Sequence, residues 1–263
     1  QRDNPRFLPS LPYDNNSNSS FFFTERLLVS PYLDRYLADE KENTFLQFFR
    51  HHGIVGFLEK TSIDIAGISI ISPSQVIPSL TLGRLIKKEL PHVHITIGGQ
   101  WPTLFRKQIA RHAYLFRYFD SAILFEGETP LVKLVHALRR KRSIASVPNI
   151  LCAGMSAAGY ERGFHEENMD ELPAPDFEGL PLSAYDAFSG GKASLTFETS
   201  RGCYWSKCAY CVDLPLPKPK YRRKDPALVV RDMIELKKKY GAGYLMFGDP
   251  GLSPRQMREI SRR

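Results

Sequence analysis

From Ser62 to Cys152 the sequence alternates short apolar runs of strand length with longer stretches whose apolar residues recur at helical spacing. Few folds accommodate that alternation. Ile63 to Ser72 is a β-branched apolar run bounded by Pro73, as expected for a parallel strand buried on both faces. Leu82, Leu85, Ile86 and Leu90 then fall on one helical face, and Pro91 closes the helix. His94 to Ile97 reads as the next strand, ended by Gly98-Gly99. A third strand, Ser121 to Phe125, runs into Glu126-Gly127-Glu128. Thr129 as N-cap and Pro130 at the first helical position open a helix with Leu131, Leu134, Val135 and Leu138 on one face. Strands alternating with helices through short loops predict an α/β fold with a doubly wound parallel sheet. Its ligand crevice is expected at the C-terminal ends of the strands, near Ser72 to Gln75, Gly98 to Thr103 and Glu126 to Glu128.

The flanking segments read differently. Residues 1–61 form a Pro-, Asn- and Ser-rich lead-in followed by a helical segment, with Tyr32, Leu33, Tyr36 and Leu37 on one face and Leu46, Phe48 and Phe49 in a second stretch. Residues 153–192, rich in Gly, Pro and acidic side chains, predict a linker. Beyond it, residues 193–263 begin a second strand-helix series. Leu195 to Thr199 is a strand, and Asp225 caps a helix starting at Pro226 with Val229, Val230, Met233 and Ile234 inward. Lys237 to Lys239 complement that helix's C-terminal dipole, Gly241 stops it, and Tyr244 to Phe247 is the next strand.

Composition narrows the classes. The chain has 263 residues, 43% hydrophobic and 24% charged, as a globular domain requires. The longest apolar stretch, Ile65 to Ile71, is too short to span a bilayer and no leader pattern opens the chain, so a cytoplasmic protein without membrane contact is expected. The formal charge of +8 admits an anionic partner such as nucleic acid. The basic residues are dispersed, however, and the denser groups at Arg139 to Arg142 and Lys218 to Lys224 read as solvated charge rather than a phosphate-gripping surface. The chain opens on Gln1 and stops at Arg263 within a helical pattern, so the sequence reads as a fragment truncated at both ends.

Of the four cysteines, Cys152 stands alone in an apolar run and reads as a buried small hydrophobe. The other three form Cys203-Tyr-Trp-Ser-Lys-Cys208-Ala-Tyr-Cys211, a C-x4-C-x2-C loop directly after a strand. Three thiolates on one short loop can hold three irons of a cubane and leave the fourth iron open. The competing reading is zinc, which in a closed tetrahedral site needs a fourth ligand; His165 and Cys152 are the candidates outside the loop, and neither has zinc-knuckle spacing. On that reading the chain is a non-catalytic zinc or nucleic-acid-binding module.

Strand, Arg201-Gly202-Cys203, Cys208-Ala209-Tyr210-Cys211, then helix and strand resembles the opening of the radical S-adenosylmethionine (SAM) superfamily. The preceding sheet resembles the flavodoxin-type cobalamin-binding domain of its B12-dependent branch. The likeness runs over roughly residues 62 to 263. The superfamily's commonest spacing is C-x3-C-x2-C, and this loop has one residue more in its first gap, as do aromatic-rich members of the cobalamin type.

The resemblance implies the start of a partial (β/α) barrel after the linker. It implies a 4Fe-4S cluster on Cys203, Cys208 and Cys211, with the methionyl group of S-adenosylmethionine on the open iron and Tyr210 beside the adenine. Gly248-Asp249-Pro250 stands where the superfamily has a Gly-Glu motif whose backbone meets the methionyl amine; Asp249 replaces the Glu, and an ordinary turn is the simpler alternative.

Ser72, Ser74, Gln75, Gly98, Gly99, Gln100, Glu126, Gly127 and Glu128 stand where the resembling domain contacts cobalamin. Ordinary strand-helix loop chemistry would also place small residues there. Asp-x-His-x-x-Gly, which would supply a histidine below the cobalt, does not occur in residues 1–263. The implied activity is reductive cleavage of S-adenosylmethionine followed by radical modification or cobalamin-dependent methylation of a peptide or small molecule. An electron donor such as flavodoxin or ferredoxin would serve it.

Overall fold

The computed structural model describes residues 32–155, 164–185, 194–208 and 221–263. They fall into two compact units, one up to His165 and one from Glu166 onward. None of the described helices is long and apolar enough to cross a membrane.

Among the described residues the first unit begins with three short helices, α1 (Tyr32–Ala38), α2 (Thr44–His51) and α3 (Ile54–Lys60). Asn43 sets their packing from a fully buried position. Its side-chain oxygen caps α2 by accepting from the backbone of Phe45 and Leu46, and its amide donates to Thr81 at 3.0 Å. Thr81 lies on α4 (Val76–Glu89), the helix between strands β1 (Ile65–Ser69) and β2 (His94–Gly98). Leu33, Leu37 and Leu46 thereby join Leu85, Ile86 and Leu90 in one core. Phe48 stays exposed and Phe49 is partly buried against that core.

After β2 come α5 (Gln100–Leu104), α6 (Arg106–Arg111), β3 (Ser121–Ile123), α7 (Glu128–Arg139) and β4 (Ile150–Cys152). The sheet order is β1-β2-β3-β4. Helices cover both faces. Ile95, Ile97, Ala122 and Leu151 pack toward the core shared with α4 and with Ile109 of α6, whereas Ile123 and Ile150 pack toward Leu134 of α7.

The fold class is therefore α/β, with a mixed, mostly parallel sheet. The expectation of an all-parallel sheet is corrected at β4, which runs antiparallel to β3. Asn149 is the reason. It is buried at φ +56°, its backbone carbonyl accepts from Leu124, and its side-chain amide donates to the Glu126 carbonyl at 3.0 Å. β4 thus starts where β3 ends and must run back alongside it. The strand order is also monotonic, so the order reversal that marks a ligand crevice in doubly wound sheets is not found among the described strands. Helix α7 starts two residues early, with Gly127 as its cap rather than Thr129. Leu131 and Val132 are exposed on it, and Leu134 is the fully buried anchor.

In the second unit the described residues at 172–177, part of the segment expected as a linker, are hydrogen-bonded to residues of and just before its long helix. Tyr240 ends α9 (Pro226–Tyr240); its hydroxyl accepts from the Phe177 backbone at 2.9 Å and donates to Asp176. Buried Lys224 donates to the Leu172 carbonyl at 2.7 Å and pairs with Asp232, itself 2% exposed. A short helix, α8 (Leu182–Tyr185), follows in this segment.

Strands β5 (Ser194–Phe197) and β8 (Tyr244–Phe247) pair in parallel on either side of α9. Between them lies a small antiparallel pair, β6 (Ser200–Arg201) with β7 (Arg222–Arg223). Asp225 caps α9 and Gly241, at φ +64°, stops it, both as the sequence predicts. Its inner face is Val229 and Leu236, with Val230 and Met233 partly buried; Ile234 is exposed, against expectation. Helix α10 (Pro254–Ser261) adds Ile260 to that core. The described strands of this unit make one strand-helix-strand repeat, without a closed barrel.

Candidate functional site

In the first unit the three expected loops do meet at the C-terminal edge of β1, β2 and β3. The Ile70 backbone N–H donates to the Gly98 carbonyl at 2.8 Å, and the Trp101 N–H donates to the Ile70 carbonyl at 3.0 Å. Thr103 then ties the second loop to the third. Its hydroxyl donates to the Gly99 carbonyl at 3.0 Å and accepts from the Phe125 backbone at 2.8 Å.

Much of the chemistry singled out in these loops is used by the loops themselves. The Gln75 side chain accepts from the backbones of Ile71 and Ser72, at 2.6 and 3.1 Å, and the Ser72 and Ser74 hydroxyls pair at 2.7 Å. Gly99 sits at φ +98°, where a Cβ would lie 2.6 Å from the Ile70 carbonyl oxygen, so it serves the crossing of the two loops. At Gly98 a Cβ would meet nothing closer than the Ile123 carbonyl at 3.7 Å, which is ordinary van der Waals room. Gln100 and Gly127 are half-buried, Glu126 is buried and Glu128 exposed.

The opposite edge of the same sheet is polar as well. His94 Nε2 is 2.9 Å from the hydroxyl of Ser121, which donates on to Thr96 at 3.0 Å. Burial pushes the His94 imidazole below its ordinary value, with nearby Asp120 opposing and Lys87 reinforcing. Cys152 in β4 is half-buried rather than fully enclosed, and burial pushes its thiol up, away from the thiolate form a metal would need.

The second unit carries the cysteine loop. Cys203 and Cys208 are free thiols, the first half-buried and the second exposed, and Tyr204 and Trp205 between them are exposed. Cys211 and Tyr210 lie outside the described residues. Among the described residues no three His, Cys, Asp or Glu side chains are grouped to hold a metal ion.

Cys203 follows β6 and forms an isolated parallel bridge with Gly251. The expected Gly248-Asp249-Pro250 segment thus lies beside the strand end that carries the first cysteine. The Gly248 N–H is spent on the Phe197 carbonyl at 2.9 Å. The Asp249 carboxylate accepts from the Thr199 backbone and hydroxyl, at 3.1 and 3.0 Å, and from the Ser200 hydroxyl at 2.5 Å.

Sequence reading did not find the other half of this network. The Gln256 side chain, fully buried on α10, donates to the Thr199 carbonyl at 3.1 Å and accepts from the Tyr221 hydroxyl at 2.5 Å. Tyr221 in turn accepts from the Ser253 backbone at 3.2 Å and packs edge-on to Tyr204. One chain of hydrogen bonds therefore fixes the strand entering the cysteine loop, Tyr221, and the loop following β8.

The chemistry of this donor set suits a metal cluster. Among the described residues, the thiols of Cys203 and Cys208 stand on a loop held at its base by buried hydrogen bonds, and neither is in a disulfide. At Gly251 the chain leaves a cradle for the Cys203 sulfur, since a Cβ there would lie 2.7 Å from Sγ.

No family model matches the chain. It is similar to an uncharacterized methyltransferase of Pyrococcus horikoshii, at 24% identity over 213 residues that cover 79% of this chain and 44% of the relative. A second uncharacterized methyltransferase, from Synechocystis, is 27% identical over 53% of this chain and 21% of its own length. The anaerobic magnesium-protoporphyrin IX monomethyl ester cyclase of Rubrivivax gelatinosus is 25% identical over 71% of this chain and 33% of the relative. The chain spans less than half the length of these curated relatives.

Proposed function

We propose that this chain is part of a radical S-adenosylmethionine enzyme, with a 4Fe-4S cluster on Cys203, Cys208 and Cys211 and a methyl-transfer or related radical reaction as its outcome. The observation that carries the reading is the pair of open thiols, Cys203 and Cys208, on a loop anchored beside the turn at Gly248 to Gly251. The similarity to proteins named methyltransferases and to a cyclase supports an enzyme and supports methyl transfer as the coarser description.

When bound, the cluster would deliver one electron to the sulfonium of S-adenosylmethionine, breaking its S–C5′ bond to give methionine and a 5′-deoxyadenosyl radical. The protein's residues then have positioning work. Asp249, through Thr199 and Ser200, holds the end of the strand leading to Cys203. Gln256 and Tyr221 hold the same strand from the other side. In this reading the backbone of the Gly248 to Pro250 turn would meet the methionyl group, and Tyr210 would lie by the adenine.

Cobalamin at Gly98 and the Glu126 to Glu128 loop, a peptide or small-molecule substrate, and a flavodoxin- or ferredoxin-like electron donor complete the proposal. The test is metal content after anaerobic purification and reconstitution. Iron and sulfide in near-equal amounts, with cleavage of S-adenosylmethionine to 5′-deoxyadenosine under reduction, are expected; stoichiometric zinc would sink the reading.

A further inference from the structure

Gly251 reads in the sequence as a turn glycine, but its backbone does not require glycine. Its φ lies outside the left-handed region, so an alanine there would carry no backbone strain. What excludes a side chain is a sulfur atom. A Cβ on Gly251 would stand 2.7 Å from Cys203 Sγ, with Cys203 Cβ and Cα next at 3.5 and 3.6 Å. Residues 203 and 251 are bridged in parallel, so the contact is held by the backbone of both segments. The base of that bridge is fixed in turn, because Asp249 grips Thr199 and Ser200, and buried Gln256 grips Thr199.

We infer that Gly251 is a positioning residue that sets the rotamer of Cys203. Its missing side chain is the space in which the sulfur sits. The inference rests on the cluster reading for its purpose but not for its geometry.

The consequence of adding a methyl group follows from which atom can yield. The Cys203 backbone is pinned by the bridge, whereas Sγ is the far end of a side chain with one rotatable bond. A Gly251→Ala chain should therefore fold and turn the thiol into another staggered well, moving the sulfur by about 3 Å. A metal–sulfur bond is only about 2.3 Å long, so a displacement of that size removes the ligand from the place where the other two cysteines expect it. Turned out of the cradle, the sulfur also loses the cover of Gly251 on one side.

The test compares the wild-type chain with Gly251→Ala by two readouts. The first is the alkylation rate of each cysteine in the metal-free protein, resolved by peptide mass spectrometry. Cys203 should react about threefold faster or more in the variant, because access governs thiol reactivity when nothing else changes, with Cys152 unaltered. The second is iron bound after anaerobic reconstitution, which should fall to a minor fraction of the wild-type amount at an unchanged melting temperature.

An unchanged or slower Cys203 rate would overturn the inference, as would full iron retention. A variant whose Cys152 also becomes reactive and whose melting temperature drops would show a merely structural glycine, which overturns it equally. If the wild-type chain itself takes up no iron, the cluster reading fails while the alkylation rates still decide the role of Gly251.

Discussion

The carboxylate of Asp249 is held by Thr199, whose backbone N–H and hydroxyl donate to it at 3.1 and 3.0 Å, fifty positions earlier in the chain. Thr199 and its neighbour Ser200 are fully buried, so these donors have no water to fall back on. A hydrogen bond to a charged acceptor contributes about 1.5–3 kcal/mol, and stranding buried donors adds to the loss. Asp249→Ala should therefore weaken the second unit by about 2–3 kcal/mol. Asp249→Asn keeps one oxygen for the same donors and should lose only about half as much. Amide hydrogen exchange over residues 194–201 measures both. Equal protection in the alanine variant and the wild type would show that the strand end is held by Gln256 alone.

Gly98 and Gly99 are adjacent, yet they answer to different demands. A side chain at Gly99 would meet the Ile70 carbonyl at 2.6 Å from a φ of +98°, whereas one at Gly98 has ordinary van der Waals room. Gly99→Ala should cost about 2–3 kcal/mol in stability, from backbone strain and the forced separation of two loops. Gly98→Ala should cost less than about 1 kcal/mol and fold normally, which makes it the variant for asking whether a flat ligand needs this surface. Thermal melts of the two proteins separate the cases; similar losses in both would mean that the loop crossing is not the constraint on Gly99.

His94 should make the first unit sensitive to mild acid. Its folded-state value lies below the ordinary 6.5 because burial disfavours the imidazolium. Below that ordinary value the unfolded chain binds a proton that the folded chain refuses, so stability is lost as pH falls from about 6.5, with a slope of at most about 1.4 kcal/mol per pH unit. Above that range the contribution is constant. Trp101 is buried in this unit and Trp205 exposed in the other, so Trp101 fluorescence in a Trp205→Phe background reports the first unit alone. His94→Gln should flatten the profile between pH 5 and 7. Parallel profiles for the two proteins would move the acid sensitivity elsewhere.

The parts of this fold that sequence reading found are those where a local pattern carries the physics. Leu85, Ile86 and Leu90 are buried as their spacing requires, and the Asp225 cap and the Gly241 stop of α9 are where the residue types put them. Strand β4 has three residues, too few for a period, and its direction depends on the side chain of Asn149 bonding residues far away in sequence. Leu131 shares helical spacing with Leu134, Val135 and Leu138, yet it is exposed while Leu134 is fully buried, because spacing gives a face but not how far the neighbouring layer covers it. Gln256 gave no signal at all. A polar residue on a short helix looks solvent-facing until Thr199 and Tyr221 close over it. The cradle under Cys203 left no mark in the sequence either, because it is a tertiary contact between segments about fifty residues apart.

The cysteines themselves give the sharpest expectation. A cubane with one open iron needs three thiolates, so Cys203→Ala, Cys208→Ala and Cys211→Ala should each abolish the broad brown absorbance of anaerobically reconstituted protein. Cys152→Ala should leave it intact. That residue sits in β4 opposite Ser121, half-buried, with its thiol pushed up by burial, which opposes the thiolate form. The four variants should also differ in where they are weakened. Cys203 and Cys208 are on the loop of the second unit, so their loss should leave Trp101 fluorescence melting unchanged, whereas Cys152→Ala removes a packed side chain from the first unit and should lower that melt slightly. Absorbance and iron content together decide the assignment: loss of the cluster from the Cys152 variant, or its retention when any one of the other three is replaced, would mean that the ligand set is different from the one proposed.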